Sequence, residues 1–320
     1  MADDLTMVEA ELRTAVICDD PFLTEVASHL ILAGGKRIRP GFALAAALGG
    51  DTEDRAVTHE VIMGAVSVEL VHLGSLYHDD VMDEAITRRT VESVNARWGN
   101  LKAILAGDFL LARASEIAAA LGTEVAGLLA NTIARLCEGQ VRELQDAYNV
   151  ERTEANYLAS IQGKTAALLA TSCRVGAIVA ALPRPLVDTV TDFGRLYGMA
   201  FQVVDDILDV VSTDEELGKP SGNDLVEGIY NLPVLRAFGT PQGPELKAML
   251  GGPLDPEARD YARGLVRRSG SVEQSLVVAQ GFADQAVQAL VPLEGTIAGR
   301  SFGAAADDLI LRVAAAAAKA

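Results

Sequence analysis

One acidic pattern occurs twice in this chain, and it limits what the chain can fold into more than any other feature. Asp79-Asp80-Val81-Met82-Asp83 and Asp205-Asp206-Ile207-Leu208-Asp209 share the spacing Asp-Asp-x-x-Asp, and each closes a long apolar run. On a helix turning about 100° per residue, the first and last aspartates of such a cluster lie about 40° apart, one turn from each other. Carboxylates crowded on one face repel, and near a helix C-terminus the macrodipole disfavours them further. The arrangement makes sense if a hard divalent cation binds there. Mg²⁺ suits it, because it takes one or two carboxylates and completes its octahedron with water and phosphate oxygens. A single cluster fits a solvated acidic helix end equally well, but two, each behind a hydrophobic run, do not. Asp79, Asp80, Asp83, Asp205, Asp206 and Asp209 are therefore the candidate metal ligands. No H-E-x-x-H is present, so zinc hydrolase chemistry has no support.

The text around the clusters is helical. Half of the 320 residues are hydrophobic, aromatics are 5%, and no Pro/Gly/Ser-rich linker divides the chain. Ala- and Leu-rich sequence of this kind favours helix, and no alternating strand pattern persists. The expected fold is all-α, a single bundle of long, mostly antiparallel helices around a central cavity, with one domain over 1–320. Helices are expected over 3–17, 21–33, 40–49, 56–83, 101–121, 123–148, 153–181, 185–211, 224–238, 256–269, 271–291 and 302–318. Breaks are expected at Gly34-Gly35, Gly49-Gly50, Gly99-Asn100, Pro183-Arg184-Pro185 and Gly218-Lys219-Pro220-Ser221-Gly222. Irregular helix spacing excludes a repeat solenoid.

A formal charge of −17 and the lack of a basic stripe exclude nucleic acid as a partner. Anionic small molecules remain possible only where cations are concentrated locally. Cys18, Cys137 and Cys173 are scattered without C-x-x-C spacing, which fits reduced thiols in the cytoplasm. The acidic opening Met-Ala-Asp-Asp is no signal peptide. The most apolar stretch, Thr165 to Leu182, contains Arg174 and reads as a buried helix, so no transmembrane segment is expected.

The cations are concentrated in a few places. Gly34-Gly35-Lys36-Arg37-Ile38-Arg39-Pro40 puts three on a glycine-rich turn at the start of a helix, where backbone N–H groups and side chains together suit a diphosphate. Alone, such a turn is more often a solvated basic loop. Arg88-Arg89 follows the first cluster, where pairing with Glu84 or Glu92 is the plain structural alternative. Lys164 lies in Gln162-Gly163-Lys164-Thr165, and Lys219 follows the second cluster; either fits an ordinary surface lysine. His72 lies two turns before Asp79 on nearly the same face.

In order and spacing these pieces resemble the trans-isoprenyl diphosphate synthase, or polyprenyl synthetase, family. The resemblance rests on Gly34–Pro40, Glu69-x-x-His72, Asp79–Asp83 with Arg88-Arg89, Gly99-Asn100 followed by Ala106-Gly107-Asp108-Phe109-Leu110-Leu111, Cys137-Glu138-Gly139-Gln140, Gly163-Lys164-Thr165, Phe201–Asp209, and Gly218-Lys219 with Asp224-Leu225-x-Glu227-Gly228. It implies an enzyme that condenses an allylic prenyl diphosphate head-to-tail with isopentenyl diphosphate. The six aspartates would carry three Mg²⁺ ions. With the metals, Arg88, Lys164 and Lys219 would hold the allylic diphosphate. Lys36, Arg37, Arg39, His72 and Arg89 would hold isopentenyl diphosphate, and Gln202 and Thr165 would flank the ionising carbon. The catalytic set would be Asp79, Asp80, Asp83, Lys164, Gln202 and Asp205. A homodimer is implied as well. One departure stands out: Ile229 occupies a segment where many relatives carry a phosphate-binding lysine.

The resemblance also bears on product length. A growing tail must run from the metals down the helix of the first cluster, past Ser75, Gly74, Val71 and Val68, about 10 Å of helix wall. In the family, bulky residues four or five positions before the first aspartate stop growth early. Gly74 and Ser75 are small, which implies a product of at least thirty carbons. Phe22 or Phe42 remain as deeper plugs, and farnesyl or geranylgeranyl diphosphate as shorter products. The competing classes are a class I terpene cyclase, which needs no second diphosphate site, and a regulatory subunit without chemistry of its own.

Overall fold

The computed structural model describes residues 2–50, 57–217 and 221–318. In chain order the helices are α1 Ala2–Ala15, α2 Pro21–Leu32, α3 Ile38–Ala47, α4 His59–Met82, α5 Val94–Trp98, α6 Asn100–Leu121, α7 Thr123–Gln145, α8 Glu154–Ile161, α9 Ala167–Val179, α10 Arg184–Val211, α11 Asp214–Leu217, α12 Asn223–Val226, α13 Leu232–Ala237, α14 Gly243–Met249, α15 Pro256–Arg268, α16 Ser271–Ala289 and α17 Ile297–Ala317. A π-turn, Gln162–Ala166, joins α8 to α9, and β1 Thr87–Arg88 pairs antiparallel with β2 Val91–Glu92. The fold class is all-α, as expected. Ala56 and the Gly218-Lys219-Pro220 break lie outside the described residues.

Short polar residues start these helices. The Asp20 carboxylate accepts from the amides of Phe22 and Leu23 ahead of Pro21, which has no N–H to satisfy. Thr58 caps α4 and Thr153 caps α8 in the same manner. The expected helix over 224–238 divides in two. Gly228 takes a left-handed φ of 74°, and Pro233, in the first turn of α13, cannot continue a preceding helix. The expected 153–181 helix is interrupted by the π-turn, which hydrophobic period does not reveal.

The chain clusters into two compact units. The first comprises Met1–Ala134, Leu168–Gly194 and Leu290–Phe302, the second Arg135–Ala167, Arg195–Ala289 and Gly303–Ala320. In the first unit α4 packs on α6, α3 and α1. Among the described residues α4 is the one helix long and apolar enough to cross a membrane, and its apolar window is 72% buried, as befits a core helix. Phe42, Phe193 and Phe302 pack in tilted and edge-to-face pairs with ring centroids 4.5–5.7 Å apart, a cluster adding about 0.5–1.5 kcal/mol per pair beyond simple burial. α4 meets α6 at paired glycines: a Cβ on Gly74 would lie 3.1 Å from both the Gly107 carbonyl and Leu111 Cγ, and one on Gly107 would collide with the His78 ring. In the second unit α13 packs on α16, α15 and α8. There Tyr148 anchors the Gly228 turn, donating its amide to the Gly228 carbonyl at 2.8 Å and its hydroxyl to the Val226 carbonyl at 2.9 Å.

Candidate active site

The first aspartate cluster sits at the end of α4. Asp83 is the C-cap, its amide bonded to the Asp79 carbonyl at 2.8 Å, so the one-turn spacing of Asp79 and Asp83 is as expected. Asp80 departs from their shared face. It is fully buried, and its Oδ1 accepts from Arg88 Nε at 2.7 Å and Nη2 at 2.5 Å. Burial pushes its carboxyl up from the usual range, and Arg88 opposes this. Its Oδ2 is buried without a hydrogen-bond partner, and leaving such an atom unsatisfied costs about 1–3 kcal/mol. A cation is the natural partner for it.

Arg88 thus pairs with Asp80 rather than with Glu84 or Glu92. The reason is the hairpin. Arg89 and Thr90 occupy its two-residue turn with φ of 52° and 66°, the left-handed backbone that lets so short a turn match the strand twist. A β-branched residue at such a φ is strained, and the turn sends Arg88 to Asp80 and Arg89 back to the Leu30–Gly34 segment. Arg89 donates to the Leu30 carbonyl at 3.2 Å and to the Gly34 carbonyl. A Cβ on Gly35 would come 2.9 Å from the Arg89 guanidinium, and the φ of 155° there is one that side-chain-bearing residues rarely adopt.

Around this contact the structure gathers Arg37, Arg39 and Arg89 against one buried carboxylate, Glu69, and His72 faces the same arginines. Arg37 donates to Glu69 Oε1 at 2.8 Å, and Arg89 Nη2 lies 4.0 Å from the same oxygen. Burial pushes the Glu69 carboxyl up, and Arg37 and Arg39 oppose this. Burial pulls Arg39 down to about 10, with Glu69 opposing and Arg89 adding to the fall. Its Nε is sequestered without a partner. Burial, reinforced by Arg39, Arg89, Arg37 and Arg88, holds His72 well below the ordinary histidine value, so it stays neutral. Lys36 is exposed at the rim. Cations outnumber anions here, and a diphosphate would correct the imbalance through charge-assisted hydrogen bonds.

The second cluster lies in the second unit, at the end of α10. Asp205 is exposed, whereas Asp206 and Asp209 are buried. Asp206 accepts from the Tyr157 hydroxyl at 2.5 Å and from Gln202 Nε2 at 2.8 Å. Burial pushes its carboxyl up to about 7; the Tyr157 and Gln202 hydrogen bonds oppose this, and Asp205 and Glu143 add to it. Gln202 Oε1 in turn accepts from Thr165 Oγ1 at 2.7 Å, and Lys164 pairs with Glu143. Asp209 Oδ2 accepts from the Asp224 amide at 3.4 Å, and Asn231 donates to Asp224 at 3.0 Å. Tyr157, Glu143 and Asn231 went unnoticed in the sequence. Tyr157 looks like one more apolar helix residue, and only its Asp206 contact shows otherwise. Lys219 lies outside the described residues.

The π-turn carries Gly163, Lys164 and Thr165, and such turns recur at functional sites. It also accounts for the glycine of the Cys137–Gln140 motif. A Cβ on Gly139 would come 2.6 Å from the Lys164 amide and 3.0 Å from the Ser160 carbonyl, and one on Gly163 would come 2.8 Å from the Arg135 carbonyl. Gly139→Ala must therefore displace the backbone at Lys164. We expect it to cost about 1–3 kcal/mol of stability and to lower kcat, as thermal melts and steady-state assays would show.

The chain-length candidates all lie on α4. Val68 and Val71 are fully buried on α4. Ser75 is half-buried, its hydroxyl donating to the His72 carbonyl at 2.8 Å. Gly74, expected at the side of the tail's path, packs against Gly107 and Leu111 of α6. Of the two deeper residues named from the sequence, Phe42 belongs to the aromatic cluster, and Phe22 is 42% exposed beneath the Lys102 ammonium.

Among the described residues, no three His, Cys, Asp or Glu side chains converge as a ready-made metal cage. The donors at hand are all carboxylate oxygens, the kind a hard dication takes while drawing other ligands from water and phosphate.

The chain is similar over most of its length to known proteins. The family model described as polyprenyl synthetase matches residues 20–264. Heptaprenyl diphosphate synthase component 2 of Geobacillus stearothermophilus is 40% identical over 291 residues, covering 91% of this chain and 90% of that protein. Nonaprenyl diphosphate synthase of Mycobacterium tuberculosis is 40% identical over 311 residues, covering 96% and 90%. Among solved structures, polyprenyl synthase from Caulobacter crescentus, complexed with calcium and isoprenyl diphosphate, superposes with a TM-score of 0.90 at 32% identity, over 97% of this chain and 94% of that one. The chain belongs to the polyprenyl synthetase family and is a prenyltransferase.

Proposed function

We propose that this enzyme condenses an allylic prenyl diphosphate with isopentenyl diphosphate, head-to-tail and in the trans manner, and releases a polyprenyl diphosphate of at least thirty carbons. The observation that carries the reading is the anion-deficient cluster of Arg39 and Arg89 at Glu69, with neutral His72 beside the arginines. A cyclase, which handles one diphosphate, has no use for it.

Asp79, Asp80, Asp83, Asp205, Asp206 and Asp209 would hold three Mg²⁺ ions. When bound, Mg²⁺ neutralises the departing diphosphate as a Lewis acid and orients it. Arg88, Lys164 and Lys219 add positive charge to the allylic diphosphate. Lys36, Arg39, His72 and Arg89 fix the second diphosphate so that its double bond lies close to the ionising carbon. The Thr165–Gln202 pair presents polar oxygens beside that carbon, and the apolar side chains of α4 exclude water that would quench the cation. The isopentenyl double bond attacks the allylic carbon as its C–O bond to diphosphate breaks. A proton is then lost from the carbon next to the resulting cation to the released pyrophosphate, and this loss forms the new double bond; no protein nucleophile is required.

We place the enzyme in the cytoplasm, working as one catalytic domain and as a homodimer. Leu101, Ile104 and Leu105 on α6 are 77%, 41% and 61% exposed, an apolar stripe suited to a second copy. Light scattering tests this. The component 2 relative supports a second reading, a catalytic subunit that works with a different chain. Protein inert alone but active with such a chain would favour it.

The decisive experiment is product analysis with geranyl, farnesyl and geranylgeranyl diphosphates, each with excess isopentenyl diphosphate. Diphosphates of thirty or more carbons are expected, with synthesis abolished by chelation and restored by Mg²⁺. A hydrocarbon or alcohol formed without isopentenyl diphosphate would identify a cyclase instead. Arg39→Ala should raise KM for isopentenyl diphosphate more than KM for the primer, by about tenfold or more for one lost charge-assisted contact. An equal effect on both substrates would refute the assignment.

A further inference from the structure

Arg37 differs from its neighbours on the cationic turn. It is 7% exposed, and every guanidinium nitrogen is committed. Nε donates to Glu9 of α1, Nη1 to Glu69 Oε1 at 2.8 Å, and Nη2 to the Ile31 carbonyl at 3.1 Å and to Glu9 Oε2 at 3.2 Å. Lys36, by contrast, is exposed, and Arg39 keeps an unpartnered Nε. Arg37 also takes a left-handed φ of 48° just before α3, a conformation that a side-chain-bearing residue adopts only when its surroundings hold it there.

The charges explain this placement. Glu69 faces three guanidiniums, those of Arg37, Arg39 and Arg89. Were Arg37 absent, the buried Glu69 carboxylate would have Arg39 and Arg89 as its remaining cations, and these are the two groups a diphosphate needs. We infer that Arg37 is a positioning residue that engages Glu69 and Glu9 so that Arg39 and Arg89 stay available to the second diphosphate. On this inference Arg37 supports the binding groups instead of touching substrate itself. Glu9 precedes the residues matched by the family model, so α1 takes part in the site from outside that region. The inference rests on the isopentenyl diphosphate reading of this cluster.

Steady-state kinetics on the full chain test it with Arg37→Met and the double variant Arg37→Met/Glu69→Gln. The single variant should raise KM for isopentenyl diphosphate about tenfold or more, as Glu69 captures Arg39 and Arg89. KM for the primer should stay within about twofold and kcat within about threefold. The double variant should return KM to within about threefold of wild type, because the capturing carboxylate is gone. A double variant as weak as the single one would mean that Arg37 contacts the diphosphate directly, and the inference falls. An unchanged KM in Arg37→Met, or an equal rise for both substrates, overturns it as well. If Arg37→Met fails to fold, Arg37→Lys carries the test: its ammonium still neutralises Glu69, so KM should stay within about threefold, and a rise of about tenfold in folded protein overturns the inference. Wild-type enzyme that shows no saturable use of isopentenyl diphosphate would instead overturn the reading of the site.

Discussion

Asp205→Ala is expected to lower kcat by at least about 10²-fold, the usual scale for losing one group that stabilises developing charge. Its melting temperature should hardly change. Asp205 is the exposed member of its cluster, and exposed substitutions of this kind usually stay within about 0.5 kcal/mol. Asp80→Ala separates the two effects. Its carboxylate is buried against Arg88, so removing it leaves a charge without its partner, and stability should drop together with rate. Circular dichroism melts beside steady-state rates at saturating Mg²⁺ distinguish the pair. Near-wild-type turnover in Asp205→Ala under those conditions would sink the metal assignment.

Phenylalanine at the two small positions on α4 should produce two different failures. At half-buried Ser75 it should shorten the product to about fifteen or twenty carbons while turnover continues, because the added ring faces the path proposed for the tail. At Gly74 the first added carbon already meets the Gly107 carbonyl and Leu111 of α6, and overpacking a helix crossing of this kind costs about 1–3 kcal/mol or more. Gly74→Phe should therefore melt early or fail to accumulate. Chromatography of the products from Ser75→Phe and a thermal melt of Gly74→Phe settle both points. A stable, active Gly74→Phe that makes short products would show that Gly74 lines the path after all.

Much of the site was legible because its chemistry forces rare local patterns. Paired aspartates closing apolar helices, and three cations on a Gly-Gly turn, conflict with ordinary helix energetics unless a ligand resolves them. What stayed hidden was the second side of each contact. Arg37 reads like Lys36 and Arg39 in one dimension; only the left-handed backbone at position 37 and the arrival of Glu9 from α1 tell them apart. Tyr157 carries no sequence signal that would mark it as the donor to Asp206. The small side chain at Gly74 is compatible with an open channel and with tight packing alike, and helical period cannot choose between them. The fold class was plain from composition and period, whereas the π-turn, the split at Gly228 and the short hairpin arise from backbone geometry that period does not encode.

That hairpin has a consequence for spacing. Arg88 reaches Asp80 and Arg89 reaches the Gly34 loop, yet the two are adjacent in the chain, their Cα atoms about 3.8 Å apart across one trans peptide. On the proposed assignment one arginine belongs to the leaving group and the other to the incoming substrate. The interval between the two reactants is then graduated by a single peptide unit, which thermal motion barely stretches. An insertion or deletion inside the Arg89–Thr90 turn would throw both substrates out of alignment at once. Extra sequence added beyond the hairpin would leave the gauge untouched, so variation in the flanking loops can accumulate without detuning the reaction.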